Sequence, residues 1–255
     1  MSFDVAADSY DRFMGRYSMP LAPELVDFAE IGDEEAVLDV GSGPGALTGE
    51  LVRRLGADAV AAVDPSEPFV AAARARYPGV DVHLAAAEEL PFPDGGFDAA
   101  LAQLVVHFMA DPVGGLGEMA RVTRLDGVVA ACVWDLAGGR APLSPFWRAA
   151  RELDPDAPGE SGFPGARAGH LRELFEEAGL DDVEDGELSV TVEHASFEEW
   201  WEPFTFGVGP AGAYATSLSD EGLAALRERC RSQFPDGAFP LTVVAWAARG
   251  VVAAR

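Results

Sequence analysis

One stretch, LDVGSGPGALT from Leu38 to Thr48, restricts the fold more than any other. An apolar strand ends on an acid, meets glycines at alternate positions, and passes directly into a helix-forming segment. Gly41, Gly43 and Gly45 let the backbone turn sharply and approach a ligand without a Cβ in the way. Strand, glycine loop and helix in that order form the opening of a βαβ unit, so the rest of the chain is read for more such units.

The alternation continues. Strands are expected at Ala36–Val40, Ala59–Asp64, Val80–Ala85, Phe97–Ala102 and Gly127–Trp134. Helices are expected near Ala46–Leu55, Pro68–Tyr77 and Pro112–Leu125, with a further one at Gly169–Leu180, and late strands near Glu187–His194 and Leu241–Ala248. This is an α/β chain built on a doubly wound, mostly parallel sheet, read as one domain over 1–255. Two stretches break the pattern after the fifth strand, 136–168 and 196–238. Both are rich in Gly, Pro and aromatic residues and are read as insertions forming a helical canopy.

Charge narrows the partners. The 43 acidic residues outnumber the 18 basic ones, all of them arginine, for a net charge of −25. Such a surface repels phosphate backbones and anionic membranes, so neither nucleic acid nor a membrane is an expected partner. No apolar run approaches the ~20 residues of a membrane span. Two cysteines without metal-like spacing suit a reducing cytoplasm. A monomer or homodimer acting on a small molecule is expected, with no metal.

Spacing alone leaves the ligand of the glycine loop open. Gly41, Gly43 and Ala46 satisfy a dinucleotide fingerprint, and Asp64 lies about twenty residues on, as that fingerprint asks. The local charge favours another nucleotide. A dinucleotide brings pyrophosphate to the helix N-terminus, whereas Asp39 places a carboxylate two residues before the first glycine. S-adenosylmethionine carries an ammonium and a sulfonium and no phosphate, and it fits.

With VLDVGSGPG, VAAVDPSEPFVAAAR and LAAAEELPFPDGGFDAALAQLVVHF in this order, the chain resembles the class I S-adenosylmethionine-dependent methyltransferases. It is most similar to the small-molecule branch of the ubiquinone and menaquinone methyltransferases, the type 11 group. The resemblance implies a seven-stranded Rossmann-like sheet with an antiparallel last strand. It implies that the backbone at Gly41, Gly43 and Gly45 meets the methionine part, and that Asp64 accepts from both ribose hydroxyls. Pro65 and Ser66 would lie beside the ribose or adenine, and Gln103 would face the methionine portion. Ala86 stands where the family usually has an acid for the adenine amino group, followed by Ala87 and Glu88. The N-terminal segment 1–30 would be a lid, with Tyr10, Arg16 and Tyr17 over the cofactor and Arg16 pairing its carboxylate.

Methyl transfer needs alignment more than acid–base chemistry, since the cofactor supplies the electrophile. His107, after the fourth strand, is the candidate base for an acceptor that needs one. Trp134, Trp147, Trp200, Trp201, Phe204 and Phe206 concentrate aromatic area suited to a flat, lipophilic acceptor, or else build the insertions' own core. The expected function is methyl transfer to oxygen, nitrogen or carbon of such a molecule. A cofactor-binding protein without transfer activity and an NAD(P)-dependent reductase are the alternatives.

Overall fold

The computed structural model describes residues 10–253. Seven strands form one sheet in the order β3-β2-β1-β4-β5-β7-β6. They are β1 (Val37–Val40), β2 (Val60–Asp64), β3 (Asp81–Leu84), β4 (Phe97–Gln103), β5 (Thr123–Trp134), β6 (Asp181–His194) and β7 (Phe239–Val251). The pairings β1–β2, β1–β4, β2–β3 and β4–β5 are parallel, while β7 runs antiparallel to both β5 and β6. Chain order reverses direction between β1 and β4. A crevice opens outside the carboxyl ends of such strands, and the glycine loop leaves β1 at that point.

Period-two alternation sorts each central strand between two cores. Val37, Ala62 and Leu101 face one side with the helices α1 (Arg16–Phe28), α2 (Ala46–Leu55) and α3 (Glu67–Arg76). Leu38, Val40 and Ala100 face the other, against α4 (Pro112–Val122) and α6 (His170–Glu177). A short π-helical turn, Asp11–Gly15, leads into α1. Residues 1–9 of the expected lid lie outside the described residues.

The insertions carry α5 (Ser144–Leu153), α7 (Phe197–Trp201), a 3-10 turn at Glu202–Phe206, α8 (Gly209–Ser217) and α9 (Asp220–Arg231). They share the hydrophobic core on the α1 side of the sheet. Two boundaries differ from the sequence expectation. Thr123–Leu125, expected as the end of a helix, begins β5, because Thr123 registers opposite Phe97 of β4. The late strands are longer than expected, since Asp181 to His194 pairs with Phe239 to Val251 as one antiparallel ribbon. The acids of DDVEDGE are exposed, while Val183, Leu188 and Val190 are buried.

Candidate functional site

The glycine loop is shaped by what surrounds it. Gly41 has φ +71°, and a Cβ there would lie 2.5 Å from a Val105 methyl, so the loop from β1 and the segment after β4 touch backbone to side chain. Gly43 also has a positive φ, +56°, but its missing Cβ faces open space. The Gly41 and Ser42 amides both donate to the Val63 carbonyl, at 2.8 and 2.9 Å, tying the loop to β2. After β4, Leu104 takes φ +63°, which is rare outside glycine, and is held there by its amide donating to the Cys132 carbonyl.

A cavity of about 690 Å³ opens beside this loop. Its walls are Tyr10, Gly41, Gly43, the segment Asp64–Phe69, Ala71, Ala86–Glu88, Gln103–Val105 and Phe108–Ala110. A small lobe continues from it between Ser18, Asp39, the glycine loop and Leu47, sharing Tyr10, Gly41, Gly43 and Gln103.

Two carboxylates govern the electrostatics. Asp39 is 1% exposed and projects to the α1 side of the sheet, where Thr48 donates to its Oδ2 at 2.6 Å. Its Oδ1 has no partner. Burial pushes the Asp39 carboxyl up to about 7, with the Thr48 hydrogen bond opposing and the Asp64 charge adding. Asp64 receives the Gly43 amide on one oxygen and the Ser66 amide on the other, both at 2.8 Å. Burial raises its pKa, and those two amides oppose the rise. Because a carboxylate has about four acceptor positions, lone pairs remain for a vicinal diol.

The lobe collects unused acceptors. Gln103 donates its amide to the Ser18 carbonyl at 3.0 Å, leaving its Oε1 without a partner, and the Ser18 hydroxyl has none either. Asp39 Oδ1, Gln103 Oε1 and Ser18 Oγ are thus buried and unsatisfied in one small space, an arrangement that costs free energy until a donor arrives. A primary ammonium fits this set. S-adenosylmethionine therefore suits the residues present, with Asp39, Gln103 and Ser18 for its ammonium and Asp64 for its ribose. A pyrophosphate would face two buried acids.

The other expected residues divide between this site and elsewhere. Pro65, Ser66, Ala86, Ala87 and Glu88 line the cavity, as does Tyr10, whose hydroxyl pKa is raised by burial. Glu88 uses its carboxylate on the amides of Ala110 and Asp111, at 2.8 and 3.3 Å, and so fixes the loop that closes one wall. Gly45, φ +101°, packs against Tyr77 instead of facing the cavity. Arg16 and Tyr17 lie away from it, on His194, so Arg16 is not placed at the cavity as expected.

His107 is likewise not among the cavity's lining residues. Its ring packs on Phe108 and Phe163, its Nδ1 has no partner, and burial lowers its pKa to about 3. Among the canopy aromatics, Trp134, Trp147, Trp200, Trp201 and Phe204 are all buried, and Phe206 packs against the same core. Phe204 stacks on Phe146 at 4.6 Å, and Trp147 donates to Glu160, whose carboxyl burial raises to about 7. They belong to the shared core on the α1 side of the sheet, and none lines the large cavity.

Sequence reasoning missed Ser18, Thr48, Val105, Phe108 and Met109. Ser18 had one signal, a polar residue on the apolar face of α1 shared with Leu21, Ala22 and Leu25. Among the described residues no cluster of potential metal ligands occurs, and no helix is long and apolar enough to cross a membrane.

Comparison with known proteins finds the similarity in the part of the chain that builds this site. Residues 38–131, from β1 to the middle of β5, match the family described as a methyltransferase domain. Over these residues the chain is similar to that methyltransferase family. An uncharacterized methyltransferase of Mycobacterium tuberculosis (strain H37Rv) is 39% identical over 135 residues, 53% of this chain and 52% of that one. The chain thus spans about half the length of that relative. Aklanonic acid methyltransferase DauC of Streptomyces sp. (strain C5) is 27% identical over 150 residues, 56% of this chain and 68% of that one. The same fold also appears in the crystal structure of the YcgJ protein of Bacillus subtilis. That structure superposes with a TM-score of 0.59 at 19% identity, covering 92% of this chain and 99% of the other.

Proposed function

We propose that this methyltransferase transfers the methyl group of S-adenosylmethionine to a small aromatic or lipophilic acceptor. The observation that carries the reading is the unpartnered pair Asp39 Oδ1 and Gln103 Oε1, buried in the lobe beside the cavity. Bound there, S-adenosylmethionine supplies a methyl on a positively charged sulfur, an electrophile that needs no further activation. Asp39, Gln103 and Ser18 hold the ammonium, and Asp64 receives the diol. Phe108 and Met109 offer apolar walls for the base, and the Ala87 backbone takes over where Ala86 provides no acid.

What remains for the protein is alignment of the nucleophile, roughly 3 Å from the methyl, and exclusion of water. Phenols and enols, acidic enough to react without a strong base, suit a cavity whose described lining includes no histidine, lysine or cysteine. The net charge of −25 argues for a small molecule over nucleic acid or an anionic membrane, and the two buried, unpaired cysteines suit a reducing cytoplasm. That one relative carries the name of an aklanonic acid methyltransferase supports a small-molecule acceptor.

Calorimetric titration with S-adenosylhomocysteine and with NADH tests the cofactor. Tight binding of the first alone is expected, and preference for the second would overturn the reading. Release of S-adenosylhomocysteine with a panel of phenols and quinols then tests transfer. Cofactor binding without release from any acceptor would leave a binding protein instead.

A further inference from the structure

Between α1 and the canopy lies a buried polar cluster that the cofactor reading leaves unused. Tyr17 Oη stands 2.9 Å from His194 Nε2, and Arg16 Nη1 stands 3.0 Å from His194 Nδ1. His194 is fully buried and Tyr17 is 3% exposed. A guanidinium can only donate, so Nδ1 must accept and carries no proton. The neutral imidazole then bears its proton on Nε2 and donates it to the Tyr17 oxygen. The hydrogen of the Tyr17 hydroxyl therefore does not point at His194 and remains available. Burial, with the Arg16 charge adding to it, lowers the imidazole pKa to about 4, so this neutral form holds at physiological pH. Burial raises the phenol pKa, so Tyr17 stays a donor.

Two more donors nearby are unspent. Arg16 Nε and Trp134 Nε1 are buried without an acceptor, and the Tyr17 and Trp134 rings meet edge-on at 6.5 Å. A void of about 10 Å³ lies between Arg16, Tyr17 and His194 on one side and Phe13, Trp200 and Phe204 on the other. That is room for about one oxygen atom with its shell. The contrast with the cofactor lobe is chemical: there the unspent groups accept, and here they donate. Ser18 and Gln103 connect the two, since Gln103 reaches from the cavity wall to the Ser18 carbonyl, next to Tyr17 along α1.

Resting on the methyltransferase reading, we infer that the Arg16–Tyr17–His194 cluster anchors an oxygen of the acceptor, which is therefore an aromatic molecule bearing a phenolate, enolate or carboxylate oxygen. Tyr17 is the anchoring donor, and Arg16 and His194 are positioning residues that set its hydrogen free. Phe13, Trp200 and Phe204 supply the aromatic wall of the void opposite that anchor.

The test titrates protein saturated with S-adenosylhomocysteine with β-naphthol, β-naphthoate and β-naphthylamine. At least one oxygen-bearing probe is expected to bind more tightly than the amine. Tyr17→Phe is expected to weaken that probe about tenfold while leaving S-adenosylhomocysteine affinity unchanged. Long-range proton–nitrogen NMR of the imidazoles is expected to show the His194 proton on Nε2. Equal binding of the amine, no binding of either oxygen-bearing probe, or unchanged probe affinity in Tyr17→Phe would each overturn the inference. So would loss of S-adenosylhomocysteine affinity in Tyr17→Phe, or a proton on Nδ1. Failure of the wild-type protein to bind S-adenosylhomocysteine would instead remove the cofactor reading.

Discussion

Thr48 donates to one oxygen of Asp39 at 2.6 Å and leaves the other oxygen of the same buried carboxylate with nothing to accept. One residue comes from the end of β1 and the other from the first turns of α2, so the strand–loop–helix unit itself builds the half-satisfied acid. With the cofactor absent, the easiest remedy for such a group is to keep its proton, and its pKa of about 7 expresses this.

The pH dependence follows from that shift. The folded protein holds the Asp39 proton up to about pH 7, whereas the unfolded chain releases it near the ordinary aspartate value of 3.8. Stability of the cofactor-free protein is therefore expected to fall as pH rises from about 4 to 7 through this group, and to level off above. Cofactor affinity runs the other way, rising towards pH 7 as the carboxylate becomes available to an ammonium. Asp39→Asn should flatten both profiles and weaken S-adenosylhomocysteine binding by roughly 10- to 100-fold, the loss of a hydrogen bond to a charged group. Calorimetry and thermal melts at several pH values check this, and an unchanged affinity in the variant would contradict it.

Two alanine substitutions in the glycine loop should separate folding from binding. Gly41→Ala drives a methyl into Val105, with only 2.5 Å between the carbons, at a positive φ, and is expected to cost about 2 to 4 kcal/mol of stability. Gly43→Ala meets open space and pays only for its φ, about 1 kcal/mol. Its methyl instead projects where the ligand approaches, so its loss in cofactor affinity should exceed its loss in stability. Urea unfolding beside calorimetry compares the two. Equal behaviour of the variants would refute the geometry.

The two neutral histidines predict acid lability. Burial lowers His107 to about 3 and His194 to about 4, both below the ordinary 6.5. Their stabilisation is complete above the unfolded value and is lost as pH falls from about 6.5 through these folded values. His107→Phe should shift the acid unfolding midpoint downward. Because the ring lies among aromatic side chains outside the cavity, turnover at pH 7.5 should stay within about twofold. A drop of 100-fold or more in kcat would restore it as a base.

Phe204 tests whether the canopy aromatics form a core. It is 2% exposed and stacked on Phe146, so Phe204→Ala should cost about 3 to 5 kcal/mol of stability. Cofactor affinity of the fraction that remains folded should be unchanged, as Phe204 lines neither the cavity nor its lobe. A variant as stable as the parent would show the ring to be loosely held.

Much of the frame was legible because it rests on local rules. Alternating apolar runs marked the central strands within a residue or two, and the glycine spacing located the loop. An acid just ahead of it, Asp39, stood at the strand end as read, buried beside the loop. Thr123–Leu125 and the ends of β6 and β7 were not legible, since strand partners distant in sequence decided them. Gln103 was readable as a residue at a strand end. That it reaches Ser18, eighty-five positions earlier, was not.

The amino-acid order alone thus determined the layered sheet and the reversal point at its centre. Periodicity and backbone chemistry act over a few residues and need no partner. Tertiary structure decided which polar atoms were left without partners: Asp39 Oδ1 and Gln103 Oε1 in one lobe, and Arg16 Nε and Trp134 Nε1 elsewhere. Hydrogen-bond satisfaction depends on everything packed around an atom, and only the assembled fold brings those neighbours together.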